Sequence, residues 1–385
     1  MRTGTAPGAD GIPSAFVAKG GLPLFAALAA LFTSILDDCT ATGSGWPDRW
    51  KLGLVTLLHK GGARDLVTNY REITLLSVIS KLLELTCHLR LQRWGEACGI
   101  IGDEQGGFRL RRRTEDQTFI LYEILQKRRA SGQPTFVSFW DVKTAYDSVY
   151  RDRMFAMLYE CGVFGKMWNL LRAMFSDVRR TVRVGSAWSA EFDLERGVPQ
   201  GSVVSPWLYN VFINGLVLLL REVDSGILIA GKRVGGLHFA DDVSTVATSH
   251  LRLQAQLNVG SIEGAVNGYG YNVQKSGVMI AGHHHPALET IPYRLGTGTL
   301  PLVRHYKYLG VELCESSGWS RAVERLLKKA DRVAHALRGA GCVRAALCPQ
   351  ASRLLFSRRF ARSWNLRAPF GILRWLSTVS SKSCS

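Results

Sequence analysis

Three aspartates stand beside short apolar runs that have the composition of β-strands. Asp141 directly follows the run Phe136–Trp140, and the pair Asp241 and Asp242 separates two further apolar runs. An acidic pair at a hairpin tip is common in proteins, so the pair alone indicates only an exposed turn. If the strand and the hairpin are neighbours in one sheet, however, the three carboxylates converge.

Converging carboxylates repel one another, and their pKa values rise unless a cation neutralises them. Mg²⁺ suits such a site because it prefers oxygen ligands and keeps coordination positions for substrate phosphates. A pair of such ions clamps the attacking and the leaving oxygen of an in-line phosphoryl displacement. The pattern therefore predicts a nucleotidyl-transfer site formed by Asp141, Asp241 and Asp242.

The elements that must position these aspartates alternate irregularly between helix and strand. Apolar residues at three- and four-residue steps predict helices, and alternating or β-branched runs predict strands and hairpins. The predicted helices are 22–38, 75–94, 114–129 (begun by a capping pattern from Thr114 to Gln117), 153–175 and 205–221, and the predicted strands and hairpins are 52–58, 135–140, 180–192, 236–240 and 243–247. This order favours an α+β fold in which an antiparallel sheet carries helices on one side.

The bulk composition narrows the class of protein. The 385 residues carry 48 basic and 31 acidic side chains, a net charge of +17, which favours a polyanionic partner such as nucleic acid. A merely solubilising basic surface is the alternative on charge alone. No signal peptide is visible, and the longest apolar stretch, 22–36, is shorter than the roughly 20 residues of a membrane span, which predicts a buried helix in a soluble protein.

Eight segments between residue 7 and about residue 315 resemble, in order and in spacing, the motifs of one family. They are Pro7–Pro13, Asn69–Leu76 with Lys81, Glu104–Arg109, Phe139–Val149, Gly197–Pro206, Phe239–Asp242, Gly270–Ser276 and Tyr308–Val311. The family is that of the reverse transcriptases of non-LTR retrotransposons, which are related to those of group II introns. One such motif is weakly specific, whereas eight in order are strongly so.

The resemblance implies a right-hand polymerase fold, with fingers in 1–134, a palm in 135–315, and a partial thumb and basic tail in 316–385. It implies synthesis of DNA from deoxynucleoside triphosphates on an RNA template and a DNA primer. Two Mg²⁺ ions, with Mn²⁺ as a substitute, are the implied cofactors. By family analogy we expect a nuclear or cytoplasmic protein that is neither secreted nor bound to a membrane; the oligomeric state stays open.

The resemblance also implies roles for single residues. Asp141, Asp241 and Asp242 match the metal ligands, and the carbonyl of Val142 is a further candidate. Tyr146, five residues after Asp141, matches the steric gate, whose flat ring excludes a ribose 2′-hydroxyl. The alternative for Tyr146 is an ordinary core aromatic.

Four more positions match residues that contact substrate. Gln200 matches a residue near the incoming nucleotide and the template, and Lys60 and Arg71 resemble the cations that contact the triphosphate. Lys275 matches a position proposed to protonate the leaving pyrophosphate. Each of the three cations could instead be a solvated surface residue.

The sequence departs from the family pattern in three places. Glu72 stands where proline is usual, so we expect a looser loop around Arg71 with an unhelpful negative charge. The segment after about residue 315 matches a thumb less clearly, and beyond Asp331 it contains ten basic and no acidic residues. No endonuclease domain precedes the motifs and no Cys/His knuckle follows them, which predicts a fragment of a larger element-encoded protein, or a degraded copy.

Three alternatives share parts of the pattern. An RNA-dependent RNA polymerase usually carries glycine before the aspartate pair, whereas Ala240 stands here and Tyr146 occupies the gate. A catalytically inactive nucleic-acid-binding remnant is disfavoured by the three intact aspartates. A maturase needs an additional basic RNA-binding domain after the thumb, for which the remaining chain leaves little room.

Overall fold

The computed structural model describes residues 4–315, except 224 and 230, together with Arg332. The thumb and basic tail predicted for 316–385 therefore lie outside the described residues, Arg332 apart. The helices are α1 Ser14–Lys19, α2 Gly21–Thr42, α3 Asp48–Lys51, α4 Val78–Ala97, α5 Thr114–Ala130, α6 Arg151–Glu160, α7 Gly165–Phe175, α8 Ser205–Glu222 and α9 His250–Asn267. The strands are β1 Leu52–His59, β2 Tyr70–Leu75, β3 Thr135–Asp141, β4 Arg179–Val184, β5 Ala187–Trp188, β6 Phe192–Asp193, β7 Ile227–Ile229, β8 Lys232–Val234, β9 Gly236–Phe239, β10 Asp242–Ala247, β11 Gly277–Ala281, β12 Tyr293–Leu295, β13 Gly298–Leu300, β14 His305–Tyr308 and β15 Val311–Cys314.

A four-stranded antiparallel sheet lies at the centre, in the order β11-β3-β10-β9. Because successive side chains of a strand point to opposite faces, β3 contributes to two cores. Phe136 and Trp140 pack with residues of α6, α8 and α9 on one face. Val137 and Phe139 pack with residues of α5 and of β14 and β15 on the other. The α+β prediction is confirmed, and the structure adds α5 to the face opposite the other helices.

A second sheet has the strand order β2-β1-β4-β5, with β6 also paired to β4. Its strands come from the segments before and after β3 in the sequence. Strands β1 and β2 form an antiparallel ribbon from Leu54↔Leu75 to His59↔Tyr70. Strand β4 joins β1 in parallel, so that residues from both sides of β3 meet in one sheet. This sheet contains the predicted strand 52–58 and the predicted hairpin 180–192.

Several helix predictions differ from the structure at their boundaries. The helix predicted for 75–94 is α4, which begins only at Val78, because Leu75 is the last residue of β2. The single helix predicted for 153–175 is interrupted between α6 and α7, where Gly162 and Gly165 adopt positive φ angles of 99° and 64°. Such left-handed residues end a helix, and glycine adopts them without a Cβ clash. Helix α5 is capped one residue earlier than predicted, because the Asp116 carboxylate accepts a hydrogen bond from the Arg113 N–H.

Helix α2 contains the apolar stretch that we expected to be buried. The helix extends over 22 residues, but its buried residues are only Leu28, Ile35 and Cys39, and Leu22 is 84% exposed. The prediction of a buried helix is therefore wrong, because one stripe of α2 packs against the protein while its other faces reach solvent. By length and composition alone, α2 is the one helix in the described part of the chain that could cross a membrane.

A buried glutamate in the core gives the protein a predicted pH dependence. Glu263 is 3% exposed and accepts hydrogen bonds from Asn267 and Tyr269. Burial raises its pKa from 4.5 to about 8, despite the opposing effects of the Asn267 hydrogen bond and the Arg153 charge. Because the folded-state pKa lies above the unfolded one, this group stabilises the fold fully below about pH 4.5, and that contribution is lost as the pH rises through about 8.

Replacing Glu263 by glutamine, which resembles the protonated acid, is expected to raise the melting temperature by about 3 °C or more at pH 8. The gain should shrink toward pH 5, where the wild-type carboxyl is protonated as well. Circular dichroism melts of both proteins between pH 5 and pH 8 measure this difference. A difference that does not change with pH would contradict the assignment.

Candidate active site

The three aspartates lie together at one end of the central sheet. Asp242 is the first residue of β10 and pairs directly with Asp141, the last residue of β3. Directly opposite residues of an antiparallel pair place their side chains on the same face. Asp241 lies in the two-residue turn that joins β9 to β10, after Ala240, so the turn begins one residue earlier than predicted and Asp242 belongs to the strand. The expectation that the strand and the hairpin are neighbours in one sheet is confirmed.

The three carboxylates act on one another electrostatically. Burial raises the pKa of Asp242 to about 6, and the charges of Asp241 and Asp141 add to the effect. Burial also raises the pKa of Asp141. The charge of Lys275 opposes this increase, and the charge of Asp241 adds to it. The pKa of Asp241 is raised by burial and lowered by the charges of Arg71 and Lys275. The site thus holds more negative charge than the surrounding protein neutralises, and a bound cation would stabilise it.

The donor atoms at this end of the sheet fit a hard divalent cation. Within the described residues, no three His, Cys, Asp or Glu side chains form a ready-made metal cage. Mg²⁺ does not require one, because it is commonly held by one or two carboxylates together with waters and substrate phosphates. Val142 lies opposite Tyr271 in an isolated antiparallel bridge, whose hydrogen bonds are made by the neighbouring residues. The Lys143 N–H donates to the Gly270 carbonyl, and the Asn272 N–H donates to the Asp141 carbonyl. The Val142 carbonyl is consequently not engaged by this bridge.

The structure brings two of the three predicted cations into the field of the carboxylates. The Lys275 Nζ lies 3.8 Å from Asp141 Oδ2. Arg71, in β2, pairs with Leu58, and its charge lowers the pKa of Asp241. Lys60 follows the end of β1 in the same ribbon, where its backbone N–H donates to the Asn69 carbonyl. For Lys60 the structure fixes only this position at the end of the ribbon.

Tyr146 lies partly buried beside the aspartates and packs against the edge of the core. Its ring centre is 5.4 Å from that of Tyr209 and 6.4 Å from that of Phe108. Burial, followed by the charge of Asp241, raises the pKa of its phenol. The ring therefore contacts two other aromatic rings, is only partly buried, and has its hydroxyl close enough to Asp241 for that charge to raise the pKa of the phenol.

Gln200 lies in a loop that contacts the strand carrying Arg71. Its carbonyl accepts a hydrogen bond from the Thr74 N–H at 2.9 Å. A Cβ at the next residue, Gly201, would collide with the Thr74 carbonyl, so only glycine permits this approach. The buried Glu84 carboxylate anchors the loop on its far side, where it accepts hydrogen bonds from the Ser202 hydroxyl and from the Val203 N–H, both at 2.7 Å.

Glu72 does not loosen the chain around Arg71. It lies within β2, in register with Leu57, so the loop expected here is a strand. Its carboxylate is 3.5 Å from the guanidinium of Arg180, which is 4% exposed and lies 3.9 Å from Asp147. The negative charge thus has a buried cationic partner. Arg180 comes from β4, more than a hundred residues away in the chain, and no local pattern could have indicated the pairing.

The sequence of the chain is similar to those of known proteins. Residues 58–313, more than half of the chain, match the family model described as reverse transcriptase (RNA-dependent DNA polymerase). Two Drosophila melanogaster proteins are named "Probable RNA-directed DNA polymerase", one from transposon X-element and one from transposon BS. The chain is 30% identical to the first over 185 residues and 30% identical to the second over 188 residues. Each of these matches covers 48% of this chain and 20% of the relative. The chain therefore spans about a fifth of the length of these relatives.

Two other proteins are similar to a larger part of the chain. The Pol polyprotein of the type-1 retrotransposable element R2 of Popillia japonica is 26% identical over 275 residues, which covers 71% of this chain and 37% of that protein. Among solved structures, apo telomerase of Candida tropicalis, truncated from its C-terminal domain, is similar with 11% identity and a TM-score of 0.47. That match covers 70% of this chain and 54% of the telomerase chain.

Proposed function

The chain belongs to the reverse transcriptase family, and we propose that it is an RNA-directed DNA polymerase of a non-LTR retrotransposon. It would extend a DNA primer on an RNA template by two-metal-ion nucleotidyl transfer. The observation that carries the proposal is the pairing of Asp242 with Asp141, with Asp241 in the adjoining turn. The names of the relatives, RNA-directed DNA polymerases of transposons, support the choice of template and product.

Asp141, Asp241 and Asp242 would hold the metal ions, together with the Val142 carbonyl. Their oxygen donors and their excess negative charge suit Mg²⁺, and Mn²⁺ accepts similar ligands. Bound divalent ions would activate the primer hydroxyl and neutralise charge on the leaving pyrophosphate. The task of the protein is to hold the three carboxylates together at one end of the sheet, where the register of β3 and β10 pairs Asp141 with Asp242 and the adjoining turn carries Asp241.

Arg71 and Lys60, at the end of the β1–β2 ribbon, would bind the triphosphate of the incoming nucleotide. Cations placed there stabilise the negative charge that develops on the leaving group. Lys275, close to Asp141 but with a side chain that is 69% exposed, would donate a proton from Nζ to the leaving pyrophosphate. The charges of Arg71 and Lys275 both lower the pKa of Asp241, which supports roles for these two cations near the reacting groups.

Tyr146 and Gln200 would select the nucleotide. The Tyr146 ring, held by Phe108 and Tyr209, would exclude a ribose 2′-hydroxyl and so favour deoxynucleotides. Gln200 would contact the incoming nucleotide and the template, from a loop fixed to β2 through Thr74. In this interpretation, β1 and β2 belong to the fingers predicted for 1–134, and the sheet of β3, β9, β10 and β11 belongs to the palm predicted for 135–315.

The decisive test is extension of a labelled DNA primer annealed to an RNA template, with deoxynucleoside triphosphates and Mg²⁺ or Mn²⁺. The wild-type protein is expected to produce DNA of template length in steps of one nucleotide. Binding should weaken steeply with salt, because contacts of a basic surface to phosphates release counterions. Binding of the primer–template without any extension would favour a nucleic-acid-binding protein that lacks catalysis.

A further inference from the structure

A buried glutamine contacts the backbone of the catalytic turn. Gln105 is 0% exposed, and its Oε1 accepts a hydrogen bond from the Ala240 N–H at 2.8 Å. Its Nε2 donates to the carbonyl of the same residue at 3.3 Å. One side chain thus binds both backbone groups of the residue that precedes Asp241. The Oε1 also accepts from the Gly107 N–H at 2.8 Å, which fixes the orientation of the amide.

Ala240 is a residue whose conformation needs support from its surroundings. Its φ is +59°, in the left-handed region, which is unfavourable for a residue with a Cβ. The residues on either side of the turn, Phe239 and Asp242, pair with each other, but Ala240 lies outside that ladder. The amide of Gln105 supplies the partners that the ladder does not provide, and a turn of this kind persists only when its surroundings determine it.

The segment that carries Gln105 is itself firmly attached to the hairpin. Gly106 N–H donates to the His238 carbonyl, and His238 N–H donates to the Glu104 carbonyl, at 2.8 and 2.9 Å. The Gly107 carbonyl accepts from the buried Asn210 side chain at 2.7 Å. A Cβ at Gly107 would collide with the Ala240 backbone, so glycine permits the close approach. The segment that carries Gln105 is therefore held against β9 by backbone hydrogen bonds on both sides of this residue.

We propose that Gln105 is a positioning residue, which fixes the Ala240–Asp241 turn and thereby aims the Asp241 carboxylate at the reacting groups. The inference rests on the proposed function for its consequence in catalysis, but its structural core, the fixing of the turn, stands independently. Misplacement of a reacting group by about 1 Å can cost roughly a hundredfold in rate. The loss should appear in kcat, because Gln105 does not contact the groups assigned to triphosphate binding.

The test compares Gln105→Met with a matched variant, Gln256→Met. Gln256 is also 0% exposed, and its Nε2 donates to the carbonyls of Gly235 and Val246, at the opposite end of the same hairpin. Both substitutions preserve side-chain length and remove hydrogen bonds to the backbone beside β9 and β10. Two measurements are made on each protein: hydrogen–deuterium exchange in peptides that contain Ala240, and steady-state primer extension.

Gln105→Met is expected to accelerate exchange at Ala240 and to lower kcat by about a hundredfold, with the KM for deoxynucleotides changed less than about threefold. Gln256→Met should leave both quantities near the wild-type values, even where it lowers the melting temperature equally. A second variant, Gln105→Glu, keeps the acceptor for the Ala240 N–H, and because burial favours its protonated form, its hydroxyl can replace the amide as donor to the Ala240 carbonyl. Assayed on the acidic side of neutrality, it should retain most of the activity and slow exchange. This rescue tests the role even if the methionine variant folds poorly.

Equal effects of Gln105→Met and Gln256→Met on exchange and kcat would overturn the proposal, as would unchanged exchange at Ala240 in Gln105→Met. These outcomes differ from a failure of the proposed function. A wild-type protein that extends no primer would refute polymerase activity, while the exchange measurements would still decide whether Gln105 fixes the turn.

Discussion

Replacing Asp241 by alanine is expected to reduce primer extension by at least about a thousandfold, below the level that most assays detect. Asp241 lies in the β9–β10 turn. It interacts electrostatically with Asp141, Asp242, Arg71 and Lys275. In the proposed mechanism, the site without this carboxylate would lose both a metal ligand and negative charge that attracts the second ion. Extension of the labelled primer, followed over hours at high enzyme concentration, measures the loss.

The same variant should bind the primer–template at least as well as the wild type, because removing a negative charge does not weaken attraction to phosphates. Fluorescence anisotropy with a labelled duplex tests this point. Asp37→Ala is the matched control, since Asp37 is an exposed aspartate of α2 that pairs with Lys166 at 2.9 Å. Extension by Asp241→Ala at a rate comparable to that of Asp37→Ala would refute the assignment of the site.

Replacing Tyr146 by valine is expected to let the protein incorporate ribonucleotides. The ring packs against Phe108 and Tyr209, and in the proposed gate role a smaller side chain would leave space for the 2′-hydroxyl. The ratio of kcat/KM for deoxynucleotides to that for ribonucleotides should fall by about a hundredfold. Single-nucleotide extension with each triphosphate in turn measures this ratio.

The loss of selectivity should come from faster use of ribonucleotides, with little change for deoxynucleotides. Tyr159→Val provides a matched control, because Tyr159 is 61% exposed and, among the aromatic rings that the structure describes, contacts only Trp168. It should keep the wild-type selectivity. An unchanged ratio in Tyr146→Val would remove the gate role, and the ring would then serve only to pack the edge of the core.

The sequence alone determined the local parts of the catalytic site. Each aspartate stands next to an apolar run, and a strand, a two-residue turn and a second strand follow from residues close together in the chain. The α+β class follows in the same way from local periodicity. These features could be predicted because the interactions that set them act over a few residues.

Tertiary structure decided which distant residues support those parts. Whether β3 lies beside β10 depends on strand pairing across a hundred residues, and so does the contact of Glu72 with Arg180. For the same reason the sequence did not show that most of α2 faces solvent: an apolar stretch reveals its own composition but not the partners that cover it.

The contacts of Gln105 also depend on the completed fold. Its sequence context resembles a known motif, but an amide in a glycine-rich segment could serve many purposes. Only the fold places that amide against Ala240, so that a residue far away in the chain completes the hydrogen bonds of the turn. The chain by itself thus specified the three carboxylates and the hairpin that presents them. The packing of distant segments decided how firmly the carboxylates are held, because hydrogen bonds between such segments depend on the completed fold.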